Sequence, residues 1–174
     1  ENLRISGLKQ LATPRELKSS IPLSDDLANQ IIRYRDEIRN IIHMKDNRLL
    51  VVIGPCSIHD PIAAYDYAKR LHKISNLVSD KYLIIMRVYF EKPRTTTGWK
   101  GYMNDPHLDD SCDMEYGLNE ARKHLIKITK LGLTIATEVL DPRVPQYTDD
   151  LMSGAAIGAR TTESQTHREM ASGL

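Results

Sequence analysis

At 174 residues, with 41% hydrophobic side chains, the chain has the size and apolar content of one ordinary domain. A formal net charge of +1 excludes a general binder of nucleic acid or membrane surfaces, so basic residues that matter must be locally concentrated. Two cysteines, Cys56 and Cys112, are too few for a disulfide framework and suit a reducing, cytoplasmic setting. No apolar run approaches the roughly 18 residues of a membrane span, and the opening ENLRISGLKQLATPREL has no signal-peptide apolar region.

Residues 1–23 read as an arm whose short apolar stretches are interrupted by Pro14 and Pro22, and such an arm needs a surface to lie on, often a neighbouring subunit. From Ser24 to Lys45, Leu27, Ile31, Tyr34, Ile38 and Ile41 fall at helical spacing. Residues 1–45 are therefore expected to form an N-terminal arm and helix, and residues 46–174 a catalytic α/β unit. Leu49, Leu50, Val51, Val52 and Ile53 run without polar alternation, which predicts a strand over 49–54 buried on both faces. Gly54-Pro55 then turns the chain and leaves Cys56 at the strand's C-terminal mouth. Asp60 and Pro61 suit the N-cap and first position of a helix over 61–75, with Ala64, Ala68 and Leu71 on one face.

A second strand over 82–88 leads through a long polar loop to a helix over 115–131, carrying Leu118, Ala121, Leu125 and Ile128 and stopped by Gly132. A strand over 133–138, a short helix near 145–152 and a strand over 156–159 follow. Thr162-x-x-Gln165 has the form of a capping box opening a last helix, 163–174. Strands separated by helices imply parallel pairing with right-handed crossovers. Four such units are half of a (β/α)8 TIM barrel, so the chain is expected to supply an arm and the first four β-α units of a longer protein. A small doubly wound sheet of four strands is the alternative that needs no missing half.

Each strand exit carries polar groups. Arg87, Lys92, Arg94 and Lys100 lie within 14 residues, beside Thr95, Thr96 and Thr97, a set suited to a phosphate or carboxylate ligand. A solvated basic loop is the plainer reading, but Arg87 follows apolar Ile84, Ile85 and Met86 and belongs at a rim. Arg160 stands just past a short apolar strand and before a helix start, a second anion pocket or a salt bridge to Glu163. Glu138 closes the third strand, either orienting an Arg or taking part directly. Cys56 reads as a small buried hydrophobe, a nucleophile or a soft metal ligand. A pairing with His59 has weak support, and Cys112, in DDSCDM, reads as a surface thiol.

The stretches LLVVIGPCSIHDP (49–61), MRVYFEKPRTT (86–96), GWKGYMNDPH (98–107) and AIGARTTESQTHREMASGL (156–174) together resemble the type I, feedback-regulated bacterial 3-deoxy-D-arabino-heptulosonate 7-phosphate synthases. The resemblance covers nearly the whole chain, as the N-terminal half of such an enzyme. It implies a (β/α)8 barrel that joins phosphoenolpyruvate to erythrose 4-phosphate at the head of the shikimate route, with a divalent metal of the Mn, Fe, Co or Zn type. Carried over residue by residue, Cys56 resembles the metal-ligand cysteine. Arg87, Lys92 and Arg160 resemble members of the phosphoenolpyruvate pocket, with Ala159 contributing backbone and Glu138 a nearby carboxylate. Lys92-Pro93-Arg94-Thr95 is similar to the family's KPRT signature, whose Arg and Thr hold the sugar phosphate.

The mechanism implied is an aldol-like condensation without a Schiff base, in which Lys92 is a cation or proton donor. The remaining metal ligands of the family lie past Leu174, so the half alone is expected to be inactive. Gly154 stands where the family usually has Trp, which implies a cavity there. Asn2, Pro145, Gln146, Met170 and Leu174 match positions lining the family's inhibitor pocket, and Asn2 favours tyrosine over phenylalanine as effector. A homo-oligomer, dimer or tetramer, is also implied, with no nucleic acid or membrane as partner. The competing readings are an octulosonate 8-phosphate synthase-like enzyme and a truncated, non-catalytic barrel half.

Overall fold

The computed structural model describes residues 7–173; Asn2 and Leu174 lie outside them. In chain order the elements are α1 (Pro14–Ser20), α2 (Asp25–Ile42), β1 (Leu49–Ile53), α3 (Pro61–Leu77), β2 (Tyr82–Arg87), α4 (Met114–Thr129), β3 (Thr134–Val139), α5 (Pro145–Thr148), β4 (Gly154–Ile157) and α6 (Gln165–Gly173). Short 3-10 turns, Asp149–Leu151 and Ala159–Thr161, flank β4. The four strands form one parallel sheet in the order β1-β2-β3-β4, as expected when sequential β-α units pair with their neighbours.

The sheet has two distinct faces. Ile84, Met86, Val88 and Ile135 face outward into the core, where they meet Ala64, Ala68 and Leu71 of α3 and Leu118, Ala121, Leu125 and Ile128 of α4. The alternate residues Leu83, Ile85 and Arg87 face inward, with Ala136 and Gly154 in register beside Arg87. Asp60 caps α3 as its spacing predicts, accepting from the N–H groups of Ile62 at 2.8 Å and Ala63 at 3.1 Å. Gly132 ends the α4 unit at φ +93°.

Three expectations are corrected. The arm contains a helix: Glu16 N–H donates to Thr13 Oγ1 at 3.3 Å, Thr13 N–H donates to Glu16 Oε2 at 2.7 Å, and Pro14 opens α1. Pro14 is thus a helix start and not an interruption. β1 is not buried on both faces, since Leu49 is 63% and Val52 58% exposed. Among the described residues it is an edge strand paired with β2 alone, its inward Leu50 half-buried and its inward Val52 exposed. The last helix does not open on a Thr162 capping box. The chain first makes a 3-10 turn in which the Thr162 hydroxyl donates to Ala159 O at 2.9 Å, and Ser164 O accepts the first helical bond, from Arg168 N–H at 3.1 Å. The fourth strand accordingly lies two residues earlier than predicted. A Cβ on Gly154 would meet only Ala136 Cβ, at 3.6 Å, and Gly154 lines a cavity between α2, α5, β4 and α6, so the cavity expected at this position is present.

The α5 segment is where the arm joins the rest of the fold. Arg122 of α4, 1% exposed, makes a bidentate pair with Asp150 at 2.8 Å and donates to Ile21 O at 2.8 Å and Tyr147 O at 3.0 Å. Lys18 of α1 reaches Asp149 at 2.6 Å, and Arg35 of α2 donates to Met152 O at 2.6 Å.

Candidate active site

The C-terminal ends of parallel strands gather the functional candidates, because each strand exit delivers its next residues to the same rim. At the exit of β1, the Lys92 ammonium donates to Cys56 Sγ at 2.8 Å. That contact, with lesser help from Arg87 and Arg94, holds the exposed Cys56 thiol below its ordinary pKa and favours the thiolate. Gly54 permits the approach of β2, since a Cβ there would lie 2.6 Å from Arg87 O. Arg87 donates its Nε–H to Pro55 O at 3.0 Å and lays its guanidinium 4.8 Å from the Tyr89 ring centre, so it is fixed beside Cys56.

A cavity of about 360 Å³ opens over the loop after β2, and Lys92, Pro93, Arg94, Thr95, Lys100 and Arg160 line it. Basic residues from the β2 exit and Arg160 from the turn after β4 therefore line one cavity. Arg87, Glu138 and Ala159 are not in that lining. Arg87 and Glu138 lie toward the inner face, and Ala159 sits exposed in the 3-10 turn. Glu138 packs against Gly158, where a Cβ would fall on its Oε1.

The same cavity includes two carboxylates that sequence reading did not single out, Glu91 and Asp141. Glu91 is 7% exposed, and its Oε2 accepts from Asp141 N–H at 3.4 Å. Burial, more than the neighbouring acids, pushes its pKa up to about 7. Asp141 is held low by hydrogen bonds from Arg143. Glu91 had a faint signal, a carboxylate directly after the buried Val88 and Phe90.

For a divalent metal, Cys56 offers a donor of the right kind, a solvent-accessible thiolate. The number does not fit: among the described residues no three His, Cys, Asp or Glu side chains come together as a ligand set. This half does not by itself make a metal centre.

Of the inhibitor-pocket candidates, Pro145 lines a second, largely apolar cavity of about 330 Å³ between α2, α5, β4 and α6, with Ile38, Ile42, Val139 and Met152. Ala171 also lines it, one residue from half-buried Met170, while Gln146 is exposed on α5. None of the rim cations reaches this cavity. Among the described residues, no helix is long and apolar enough to cross a membrane.

The model of the DAHP synthetase I family matches residues 20–174. The chain belongs to that family. It is 57% identical over 173 residues to the Tyr-sensitive phospho-2-dehydro-3-deoxyheptonate aldolase of Escherichia coli, covering 99% of this chain and 49% of that protein. Identity to the Phe-sensitive E. coli relative is 54%, over 100% of this chain and 50% of the relative. A solved phospho-2-dehydro-3-deoxyheptonate aldolase from Francisella tularensis superposes with a TM-score of 0.94 at 51% identity, over 98% of this chain and 50% of that one. The chain spans about half the length of the curated relatives it matches. Its four parallel strands form a curled half-barrel that matches half of the solved relative.

Proposed function

We propose that this chain is half of an eight-stranded (β/α) barrel whose whole joins phosphoenolpyruvate to erythrose 4-phosphate with water, giving 3-deoxy-D-arabino-heptulosonate 7-phosphate and phosphate. The observation that carries this reading is the convergence of Lys92, Arg94, Lys100 and Arg160 on one cavity at the strand exits, with Cys56 held against Lys92. Two phosphates and a carboxylate must be held close together, and only a cluster of cations can do so without prohibitive repulsion.

In this reading Arg87, Lys92 and Arg160 fix phosphoenolpyruvate, with the Ala159 backbone beside them. Pro93, Arg94 and Thr95 take the sugar phosphate. The methylene carbon of phosphoenolpyruvate then faces the aldehyde carbon, and placement alone removes much of the barrier. The new C–C bond turns the aldehyde oxygen into an alkoxide, and in this reading the Lys92 ammonium gives it a proton. Water adds to the carbon bearing the phosphate ester, and the departing phosphate keeps its cations. Glu138 acts as the orienting carboxylate on the inner face. Cys56 is the one metal ligand this chain would contribute, and its partners come from outside residues 1–174, so the half alone does not turn over.

Feedback control by an aromatic amino acid belongs to the same reading. Tyrosine is favoured over phenylalanine, since identity is 57% to a relative named Tyr-sensitive and 54% to one named Phe-sensitive. Pro145, Gln146 and Met170 would line its pocket, and the whole would assemble as a homo-oligomer through its arm.

A chimera tests the proposal: residues 1–174 replace the matching half of the E. coli Tyr-sensitive relative, and phosphate release is followed with either aldose. Turnover with erythrose 4-phosphate and not with arabinose 5-phosphate is expected. Arg160→Ala in the chimera should raise the KM for phosphoenolpyruvate far more than that for the sugar. Equal losses, or a preference for arabinose 5-phosphate, would overturn the assignment.

A further inference from the structure

Glu91 has no part in the chemistry proposed above, yet it is the one buried residue of the cation-lined cavity, where Lys92, Arg94, Lys100 and Arg160 are half-buried or exposed. Among the described residues, none of those four cations comes within ion-pairing distance of its carboxyl. Its backbone donor is Asp141 N–H, at 3.4 Å. The chain fixes its position from the other side. Lys92 N–H donates to Lys100 O at 3.0 Å and Met103 N–H to Phe90 O at 3.3 Å, so the turn at Lys100–Asn104 lies against the Glu91 backbone. Gly101, at φ +103°, makes that contact possible, since a Cβ there would fall 2.5 Å from Glu91 Cα.

An ionised carboxylate is almost never left buried without a cationic partner. Glu91 has none although four cations share its cavity, so the form that suits its surroundings is the acid. The rise of its pKa to about 7 by burial agrees. A protonated carboxyl offers an O–H donor without adding charge, and an anion beside it meets no repulsion. Resting on the reading of this cavity as a phosphate site, we propose that Glu91 in its acid form is a ligand of the bound phosphate group, donating its O–H to a phosphate oxygen, and that ionised Glu91 excludes the anion. Binding then draws a proton onto the carboxyl, because a phosphate beside it opposes ionisation.

The charged groups around Glu91 come from four elements. Lys92, Arg94 and Lys100 belong to its own loop, and Arg160 to the turn after β4. From the β3 exit Asp141 and Glu138 face it as like charges, and Asp141 is bonded to Arg143. From α6, His167 stands by Asp141 with its ring nitrogens 2.7 Å from Leu140 O and 2.7 Å from Ser164 Oγ. Exposed Cys56, against Lys92, is a second group whose proton loss adds negative charge, so the test is run with Cys56→Ser.

The probe is sulfate, a tetrahedral dianion whose own charge is constant near neutrality. It is titrated calorimetrically into the chimera of residues 1–174 with the rest of the E. coli Tyr-sensitive relative, carrying Cys56→Ser. The apparent Kd should rise about tenfold from pH 6 to pH 8. At pH 7 about half a proton should be taken up per sulfate, read from the heats in two buffers of different ionisation enthalpy. Glu91→Gln, which keeps a neutral donor, should bind sulfate with a Kd that changes little over that range and should take up no proton. A Kd independent of pH without proton uptake in the Cys56→Ser chimera overturns the role of Glu91 and leaves the anion cavity standing. So does a pH dependence undiminished by Glu91→Gln. No sulfate binding at pH 6 overturns the cavity reading as well.

Discussion

Two buried titratable groups pull the stability of this domain in opposite directions as pH changes, and separating them tests the burial of the site. Glu91, 7% exposed, is raised from 4.5 to about 7, chiefly by burial. Its folded form holds a proton that the unfolded chain gives up, so stability is fully present below about pH 4.5 and is lost as pH rises through 7. His124, 6% exposed against Phe90, is lowered from 6.5 to about 4, again chiefly by burial. Its folded form stays neutral where the unfolded chain binds a proton, so stability is lost as pH falls below 6.5. Between pH 5 and pH 8, Glu91 should remove about 2.5 kcal/mol and His124 restore about 2 kcal/mol. The wild type should therefore look nearly flat in urea titrations at the two pH values. Glu91→Gln should gain about 2 kcal/mol on going to pH 8, and His124→Leu should lose about 2.5 kcal/mol. Parallel pH dependences for all three proteins would refute the argument, because they would mean that neither group is dehydrated by folding.

Lys92→Met should slow alkylation of Cys56 by iodoacetamide at neutral pH several-fold, because the ammonium 2.8 Å from Sγ is the main support of the thiolate. Exposed Cys112 serves as the internal control, and an unchanged rate ratio would remove the pairing. Asp150→Ala should cost about 3–5 kcal/mol in urea unfolding, because it strands the buried Arg122 guanidinium. Lys18→Met, removing the more exposed Lys18–Asp149 pair, should cost only about 0–1 kcal/mol. Equal costs for the two variants would show that Arg122 finds other partners.

What the sequence disclosed was local and periodic. The α3 start at Asp60-Pro61, the Gly132 stop and the 3.6-residue rhythm of α2 and α4 are all decided within a turn or two of chain. Sequential β-α units left parallel order as the economical topology, and the cations of the β2 exit announced themselves by density. The errors have physical sources of two kinds. Pro14 taken alone forbids a helix interior, while Thr13-x-x-Glu16 around it makes Pro14 a good first residue. Thr162 fits a capping box on paper, but Ala159 O captures its hydroxyl first. The remaining differences are non-local. Exposure of β1 depends on which strand lies beside it, and Leu49–Ile53 has the same composition in either case. Glu91 is a buried acid through neighbours distant in sequence, among them Asp141, 50 residues away, whose N–H donates to it.

That burial also explains how the cavity can keep its cations together before any ligand arrives. Lys92, Arg94, Lys100 and Arg160 share it with Glu91 and Asp141. Asp141 is already bonded to Arg143, and Glu91 at a pKa of about 7 is only half ionised near neutrality. The cavity thus carries a positive excess with few fixed counter-charges inside it, the condition under which multiply charged anions are drawn in. A fully ionised Glu91 would cancel part of that field, and its burial opposes this. The dehydration that costs stability above pH 7 is in this way the same feature that leaves the cations with fewer counter-charges.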